Sequence, residues 1–266
     1  MRIWWQSFVD PVQNESYFAR LDEYLNEIAD ADTAVDIHGI APGDRHFGRL
    51  TEFRCAALAI DNALEASAQG YDAFVVGHFQ DPGLYEARSA LAIPVIGLGE
   101  TSLHWAAQIG RNIGLVTIDS VFERWHLEQA DLYGLPGRVS HVVGLGVLVE
   151  DFAAAFAGDE QAFARMLVRF RELVQPIVDS GADVIVPAGA LPSLLLRGER
   201  GLTVGHAPVV NPVAVTLKAS EAWARIHELT GLEPSRGPSY ALAPPGAIAD
   251  FRELLANGRK DVRRPG

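Results

Sequence analysis

The chain has 266 residues, of which 48% are hydrophobic and 21% are charged, and its formal net charge is −12. This length suits one large globular domain or two compact ones, and the composition excludes disordered, collagen-like and low-complexity chains. Because the negative charge repels phosphate backbones, we expect no nucleic-acid partner, and an anionic membrane surface is disfavoured for the same reason.

Cysteine occurs once, at Cys55. A single cysteine excludes an intrachain disulfide and a thiolate-rich metal site, and it is typical of a protein kept in a reducing compartment. The first residues lack an apolar leader, and no window approaches the ~18 apolar residues of a membrane span. We therefore expect a soluble, cytoplasmic protein that does not act on membranes.

Short apolar or β-branched runs alternate along the chain with longer segments of helical periodicity. Strands are predicted over residues 2–6, 34–38, 73–77, 95–97, 113–117, 140–143, 184–187 and 209–210. Helices are predicted over residues 14–28, 52–69, 84–91, 102–108, 121–133, 159–180, 214–229 and 245–257. This alternation predicts an α/β fold with parallel strands joined by helices. The basic residues 258–266 are predicted to form a frayed, solvated tail.

An internal repeat relates two parts of the chain. Its first copy is GYDAFVVGH at 70–78 followed by IPVIG at 93–97, and its second is GADVIVPAG at 181–189 followed by APVVN at 207–211. In both copies, the residue eight positions after the first glycine lies just beyond the carboxyl end of a strand, where open α/β sheets place ligands. His78 and Gly189 are therefore predicted to be pseudo-symmetric partners across a cleft between two α/β halves.

These segments, together with GRNIGLVT at 110–117, resemble the aspartate/glutamate racemase superfamily, and within it the hydantoin racemase branch. The resemblance covers most of the chain. It implies two pseudo-symmetric Rossmann-like α/β/α domains, which we assign to residues 1–100 with 209–266 and to residues 101–208. It also implies a small-molecule substrate held between the domains and a homo-oligomer.

The catalytic positions depart from the superfamily pattern. Typical members carry a cysteine at each of the two strand ends, and one thiolate removes the substrate α-proton while the other thiol returns a proton from the opposite face. Here these positions hold His78 and Gly189, and Cys55 is predicted to be a small buried residue inside a helix. Since glycine has no ionisable group, a cysteine-less site of this kind cannot perform symmetric two-thiol racemisation.

His78 is the first candidate for the catalytic acid or base, because an imidazole titrates near neutral pH. Asp81 and Glu100 are candidates to assist it, although Asp81 also suits an ordinary turn and Glu100 an ordinary helix start. The loop over residues 44–49 is expected to lie over the cleft. Candidate substrate-binding residues lie at predicted strand ends and in the adjoining loops: Gln6, Ser7, His46, Phe79, Gln80, Thr117, Gly189, Ala190 and Asn211.

Three functions remain open from the sequence. The leading hypothesis is isomerase-like proton transfer beside a carbonyl, centred on His78, in a small amino-acid-derived acid or a hydantoin-like ring, with no cofactor. The second is a hydrolase or lyase that opens a hydantoin- or thiohydantoin-like ring or removes a heteroatom from it, with or without a metal. The third is a catalytically silent ligand-binding protein. No close metal-ligand spacing is present, so no metal is expected, and His78, His38 and His46 are the ligands if one binds.

Overall fold

The structure is a computed structural model that describes residues 1–44 and 46–257. Its helices and strands follow one another as β1 Arg2–Gln6, α1 Glu15–Ile28, β2 Ala34–His38, α2 Arg49–Ala68, β3 Ala73–Val76, α3 Leu84–Ala90, β4 Val95–Gly97, α4 Leu98–Ile109, β5 Ile113–Thr117, a 3-10 turn Ser120–Phe122, α5 Glu123–Leu132, β6 Val139–Gly144, α6 Val149–Phe156, α7 Glu160–Asp179, β7 Val184–Pro187, α8 Ala190–Leu195, β8 Thr203–Val204, β9 Ala207–Pro208, α9 Pro212–Thr230 and α10 Pro245–Asn257. The predicted tail over residues 258–266 lies outside the described residues.

Two parallel sheets with the same strand order form the two halves. The first runs β2-β1-β3-β4 and the second runs β6-β5-β7. A parallel bridge between Ile185 and Val209 continues the second sheet beside β7, at the position that β4 holds in the first. The repeat predicted from the sequence is thus a structural repeat, and the predicted α/β class is confirmed.

In both sheets, a central strand is buried on its two faces. All four residues of β3 and all four of β7 are buried, as expected for parallel strands between two layers of helices. In β1, successive side chains point to opposite faces of the sheet, so Ile3 and Trp5 join one apolar core while Trp4 joins the other. The first of these cores continues without a break into the second sheet.

Two helices pack across the junction of the halves. Helix α9 contacts β3 and β4 of the first sheet, and it also packs along α4. Helix α4 in turn contacts β5 and β7 of the second sheet. The assignment of residues 1–100 with 209–266 to one domain and of residues 101–208 to the other stays a prediction.

Some elements differ from the predicted ones. Helix α4 begins at Leu98, four residues before its predicted start, because the carboxylate of Asp81 accepts the backbone N–H groups of Gly99 and Glu100 and so caps the helix from a distant loop. Helices α6 and α8 and the short hairpin β8–β9 were not predicted at all. Among the described residues, no helix has the length and apolar character needed to cross a membrane.

Candidate active site

A small cavity of about 60 Å³ lies where the carboxyl ends of strands from the two sheets meet. It is lined by Ser7, Phe8, Val9, Tyr17, Asp44, Phe47, Gly77, His78, Gln80, Thr117, Ile118, Phe122, Val149, Ala188, Gly189, Ala190, Leu191 and Pro192. This volume is well above the ~15 Å³ that one water needs. Both members of the predicted pair, His78 and Gly189, face it.

Gly77 sets the position of His78. The backbone N–H of Gly77 donates to the carbonyl of Gln6, so β3 stays against β1 up to its last residue. A Cβ atom on Gly77 would lie 2.6 Å from that same carbonyl oxygen, which no side chain can tolerate. The glycine therefore keeps the strand end tight and delivers His78 into the cleft.

Two carboxylates lie beside His78, and one of them, Asp44, also lines the cavity. Its Nε2 atom lies 3.5 Å from Oδ2 of Asp44 and 3.4 Å from Oε1 of Glu52, and its ring stacks on Phe8. Burial opposes the charged imidazolium, but Glu52, Asp44 and Asp81 outweigh it, so the pKa of His78 lies above its ordinary value. Burial also raises the pKa of Asp44, against the lowering effect of His78.

The opposite wall carries no ionisable side chain at the equivalent point. Gly189 follows β7 with a φ of +140°, in a region that favours glycine, and α8 begins directly after it. Ala190, Leu191 and Pro192 complete this wall with apolar surface. An acid or base acting in the cavity therefore reaches a substrate from the His78 side.

A buried chain of hydrogen bonds fixes the direction in which the Thr117 hydroxyl donates its proton. The side-chain nitrogen of Gln129 donates to the carbonyl of Phe79, so its Oε1 atom accepts from Nδ1 of His126 at 3.2 Å. Nε2 of His126 is then unprotonated and accepts from the Thr117 hydroxyl at 3.2 Å. Burial lowers the pKa of His126 to about 4, which keeps the ring neutral. With its proton engaged, the Thr117 hydroxyl has only lone pairs left for another partner, and the residue borders the cavity while being 0% exposed.

Six of the candidate residues from the sequence meet at this cavity, namely Ser7, His78, Gln80, Thr117, Gly189 and Ala190. The loop predicted to lie over the cleft contributes Asp44 and Phe47. Ser7 donates from its hydroxyl to Tyr17, which also lines the cavity.

Several other candidates are engaged elsewhere. The amide oxygen of Gln6 accepts from Trp4 and Asn62, and its nitrogen donates to the carbonyl of Ser7. Phe79 is 1% exposed and does not line the cavity.

Asp81, Glu100 and Asn211 also lie away from the cavity. Asp81 accepts from Tyr133 in addition to capping α4, and burial raises its pKa to about 7. Glu100 forms an ion pair with Arg88 beside a different surface cavity. Asn211 caps α9 by accepting from Val213 and Ala214. Each side chain is committed to the local structure and none of them lines the cavity, although Asp81 is near enough to help raise the pKa of His78.

The histidines named as possible metal ligands do not come together. His38 stacks on Trp4 at 3.3 Å between ring centroids and borders another cavity, while His46 is exposed. Within residues 1–44 and 46–257, the ligand-type atoms that do lie together belong to Asp44, Glu52 and His78, all within 4.8 Å of one another. The sequence placed Asp44 in the loop expected over the cleft and Glu52 at the start of a predicted helix, but it indicated neither of them as a site residue.

Solved structures of other proteins share this fold and define the structural class. The allantoin racemase from Klebsiella pneumoniae matches with a TM-score of 0.74 and 21% identity, over 91% of this chain and 94% of that one. The allantoin racemase from Pseudomonas fluorescens matches with a TM-score of 0.72 and 22% identity, over 92% of this chain and 98% of that one. At such identity the likeness establishes the fold, which is that of the two-domain α/β racemases.

The family follows from the sequence. The model of the family described as Asp/Glu/Hydantoin racemase matches residues 8–220. The chain belongs to the Asp/Glu/hydantoin racemase family, which confirms the resemblance.

Curated relatives lie in the hydantoin branch. Identity is 29% over 159 residues to the hydantoin racemase of Rhizobium meliloti, which is 59% of this chain and 62% of that protein. It is 30% over 93 residues to the hydantoin racemase of Pseudomonas sp. (strain NS671), 35% of this chain and 37% of that protein. The aligned parts span less than two thirds of either relative.

Proposed function

We propose that the protein is an enzyme that transfers a proton at a carbon beside a carbonyl of a small hydantoin-like ring, on one face of that ring. The observation that carries this proposal is the asymmetry of the cavity. His78 stands on one wall with Asp44 and next to Glu52, and Gly189 stands at the equivalent point of the other wall. Only the first wall has a group that exchanges a proton near neutral pH.

The chemistry of the walls favours a neutral or weakly acidic ring over a dicarboxylate. None of the described residues lining the cavity is a lysine or arginine, and Asp44 contributes negative charge. Thr117 presents an acceptor, which suits a ring N–H. The small apolar volume suits a compact ring, and the relatives' names point to hydantoins.

The proposed proton transfer uses His78 in both directions. The raised pKa favours the imidazolium, which donates its Nε2 proton to the carbon of an enolate, forming a C–H bond and leaving neutral imidazole. In reverse, neutral His78 takes the proton, and the electron pair of the C–H bond passes to the carbonyl oxygen. Asp44 and Glu52 stabilise the imidazolium in each cycle.

Proton NMR in D₂O tests this proposal. Each enantiomer of a 5-substituted hydantoin is incubated with the protein in the presence of a chelator, and both deuterium at C5 and optical rotation are followed. We expect exchange of one enantiomer with its configuration retained, beyond the rate in buffer alone. If deuterium exchange and loss of optical rotation proceed at the same rate, a second acid serves the Gly189 side. Binding of the hydantoin without exchange would favour a catalytically silent binding protein.

The second candidate function is opening of the ring, or removal of a heteroatom from it, with help from a metal. The cluster of Asp44, Glu52 and His78 is the observation that favours it. In the same NMR experiment without chelator, this function would produce a ring-opened or heteroatom-free product that disappears when the chelator is added.

A further inference from the structure

The side chains of Asp44, Glu52 and His78 come from three different elements and converge on one point. Asp44 follows β2 and its backbone N–H donates to the carbonyl of Phe8 at 2.8 Å. Glu52 lies in the first turn of α2, and His78 follows β3. We propose that these three side chains bind one divalent transition-metal cation, with Zn²⁺ as the best match.

The distances fit a tetrahedral ion. Ligand atoms about 2.1 Å from zinc at tetrahedral angles lie roughly 3.4 Å from one another. Nε2 of His78 lies 3.4 Å from Oε1 of Glu52 and 3.5 Å from Oδ2 of Asp44. The ligand atoms of Asp44 and Glu52 lie within 4.8 Å of each other, so two of the three spacings match a tetrahedral ion and the third lies within reach of one.

The polar atoms at this point lack partners. Oδ1 of Asp44, Oε1 of Glu52 and Nε2 of His78 are buried and make no hydrogen bond. The Asp44 side chain is only 5% exposed. Nε2 of His78 and Oε1 of Glu52 have each other as neighbours, at 3.4 Å, and Oδ1 of Asp44 has no partner. Because buried polar groups are normally paired, an unpartnered carboxylate oxygen beside a second carboxylate indicates a ligand that supplies positive charge.

The charges and the chemistry of the ligands agree with a divalent cation. Two carboxylates and a neutral imidazole balance the charge of such an ion, and this mixture of nitrogen and oxygen donors suits zinc. Arg54, the cation next to this group in space, donates to the carbonyls of Pro42 and Gly43 and does not fill the position.

Three protein ligands leave a fourth position for water or substrate, as in catalytic zinc sites. Asp44 and His78 both line the cavity, so that position faces the place where a substrate would lie. The inference shares residues with the proposed proton transfer but does not depend on it. A cation on Nε2 of His78 occupies the lone pair that proton transfer uses, so the two states exclude each other.

Calorimetric titration of the chelator-treated protein with ZnCl₂ tests the site. We expect the wild type to bind one equivalent of zinc. Asp44→Asn, Glu52→Gln and His78→Asn should each weaken binding by at least about a hundredfold, because loss of a residue that only supports a metal ligand already costs up to about that much. Glu65→Gln is the matched control, because Glu65 lies on the same helix as Glu52 but is exposed. It should bind as the wild type does.

A second measurement does not depend on the folding of variants. Co²⁺ added to the wild type should give the intense visible absorption of four-coordinate cobalt, and Zn²⁺ should displace it. Failure of the wild type to bind, equal binding by folded ligand variants, or the weak spectrum of six-coordinate cobalt would overturn the proposal. Metal binding is measured without substrate and proton exchange with chelator, so either proposal can fail while the other stands.

Discussion

His78 and Gly189 occupy equivalent positions in the two halves of the molecule, one residue beyond Gly77 after β3 and one beyond Ala188 after β7, and both line the same cavity. A pair of cysteines is typical at these positions in the superfamily. With an imidazole at one of these two positions and no side chain at the other, only the His78 position carries an ionisable group. This asymmetry distinguishes the chemistry expected here from two-base racemisation.

The proposed role of His78 leads to the first prediction. His78→Asn should lower the rate of C5 proton exchange at least about a hundredfold, the scale of a general acid–base contribution, in a protein that stays folded. Exchange is measured by NMR with chelator present, and folding by thermal unfolding. His104→Asn is the control, since His104 borders the other cavity near Glu100. Normal exchange in a folded His78→Asn protein would remove this residue from the mechanism.

The orientation of the Thr117 hydroxyl leads to the second prediction. Thr117→Val keeps the shape of the side chain but removes the acceptor, and loss of one hydrogen bond of about 1 kcal/mol should raise KM for a ring with a free N–H by roughly fivefold. An N-methylated analogue makes no such bond, so its KM should be nearly the same in both proteins. Equal changes for the two substrates would mean that Thr117 acts only through packing.

The buried neutral ring of His126 leads to a prediction of pH dependence. Its pKa is about 4 in the folded protein and ordinary, near 6.5, in the unfolded chain. Between these values the unfolded state binds more protons, so the free energy of unfolding should fall as pH falls from 6.5 towards 4. His126→Gln should make that decline shallower.

Chemical denaturation across this pH range provides the measurement. His206→Gln is the control, because His206 is exposed. If wild type and His126→Gln lose stability equally between pH 6.5 and pH 4, the ring is not held neutral.

The backbone of Gly189 leads to a prediction of stability. A Cβ atom there would meet only Pro192, at 3.4 Å, so the cost of Gly189→Ala comes from φ and not from a clash. We expect a loss of about 1–2 kcal/mol in the free energy of unfolding, measured with urea. Gly198→Ala, with nothing within 4 Å of the added Cβ, should be nearly neutral. An equally small effect at both sites would contradict the assigned backbone conformation.

The single cysteine leads to the last prediction. Cys55 is fully buried within α2, and burial raises the pKa of its thiol to about 11. Iodoacetamide should therefore label the native protein far more slowly than the urea-unfolded one, and Cys55→Ala should keep proton exchange. Complete inactivation of a folded Cys55→Ala protein would place the thiol in the mechanism.

The sequence by itself determined the strands of the two parallel sheets, most helices, the internal repeat and the two positions that face each other across the cleft. These features depend on local periodicity and on residues that end strands, which the chain carries without reference to distant parts. It also determined that neither position holds a thiol. His78 and Gly189 could be paired because both halves repeat the same order of elements.

Only the tertiary structure decided which side chains surround His78. Asp44 and Glu52 reach it because the loop after β2 and the first turn of α2 fold over the end of β3, and sequence spacing does not encode that approach. Asp81 lies in the loop after β3, and Glu100 and Asn211 lie at the starts of α4 and α9, where capping bonds and an ion pair hold their side chains away from the cavity. The side chain of a strand-end residue goes to whichever partner the packed neighbours place nearest, and that partner is known only once the helices have docked.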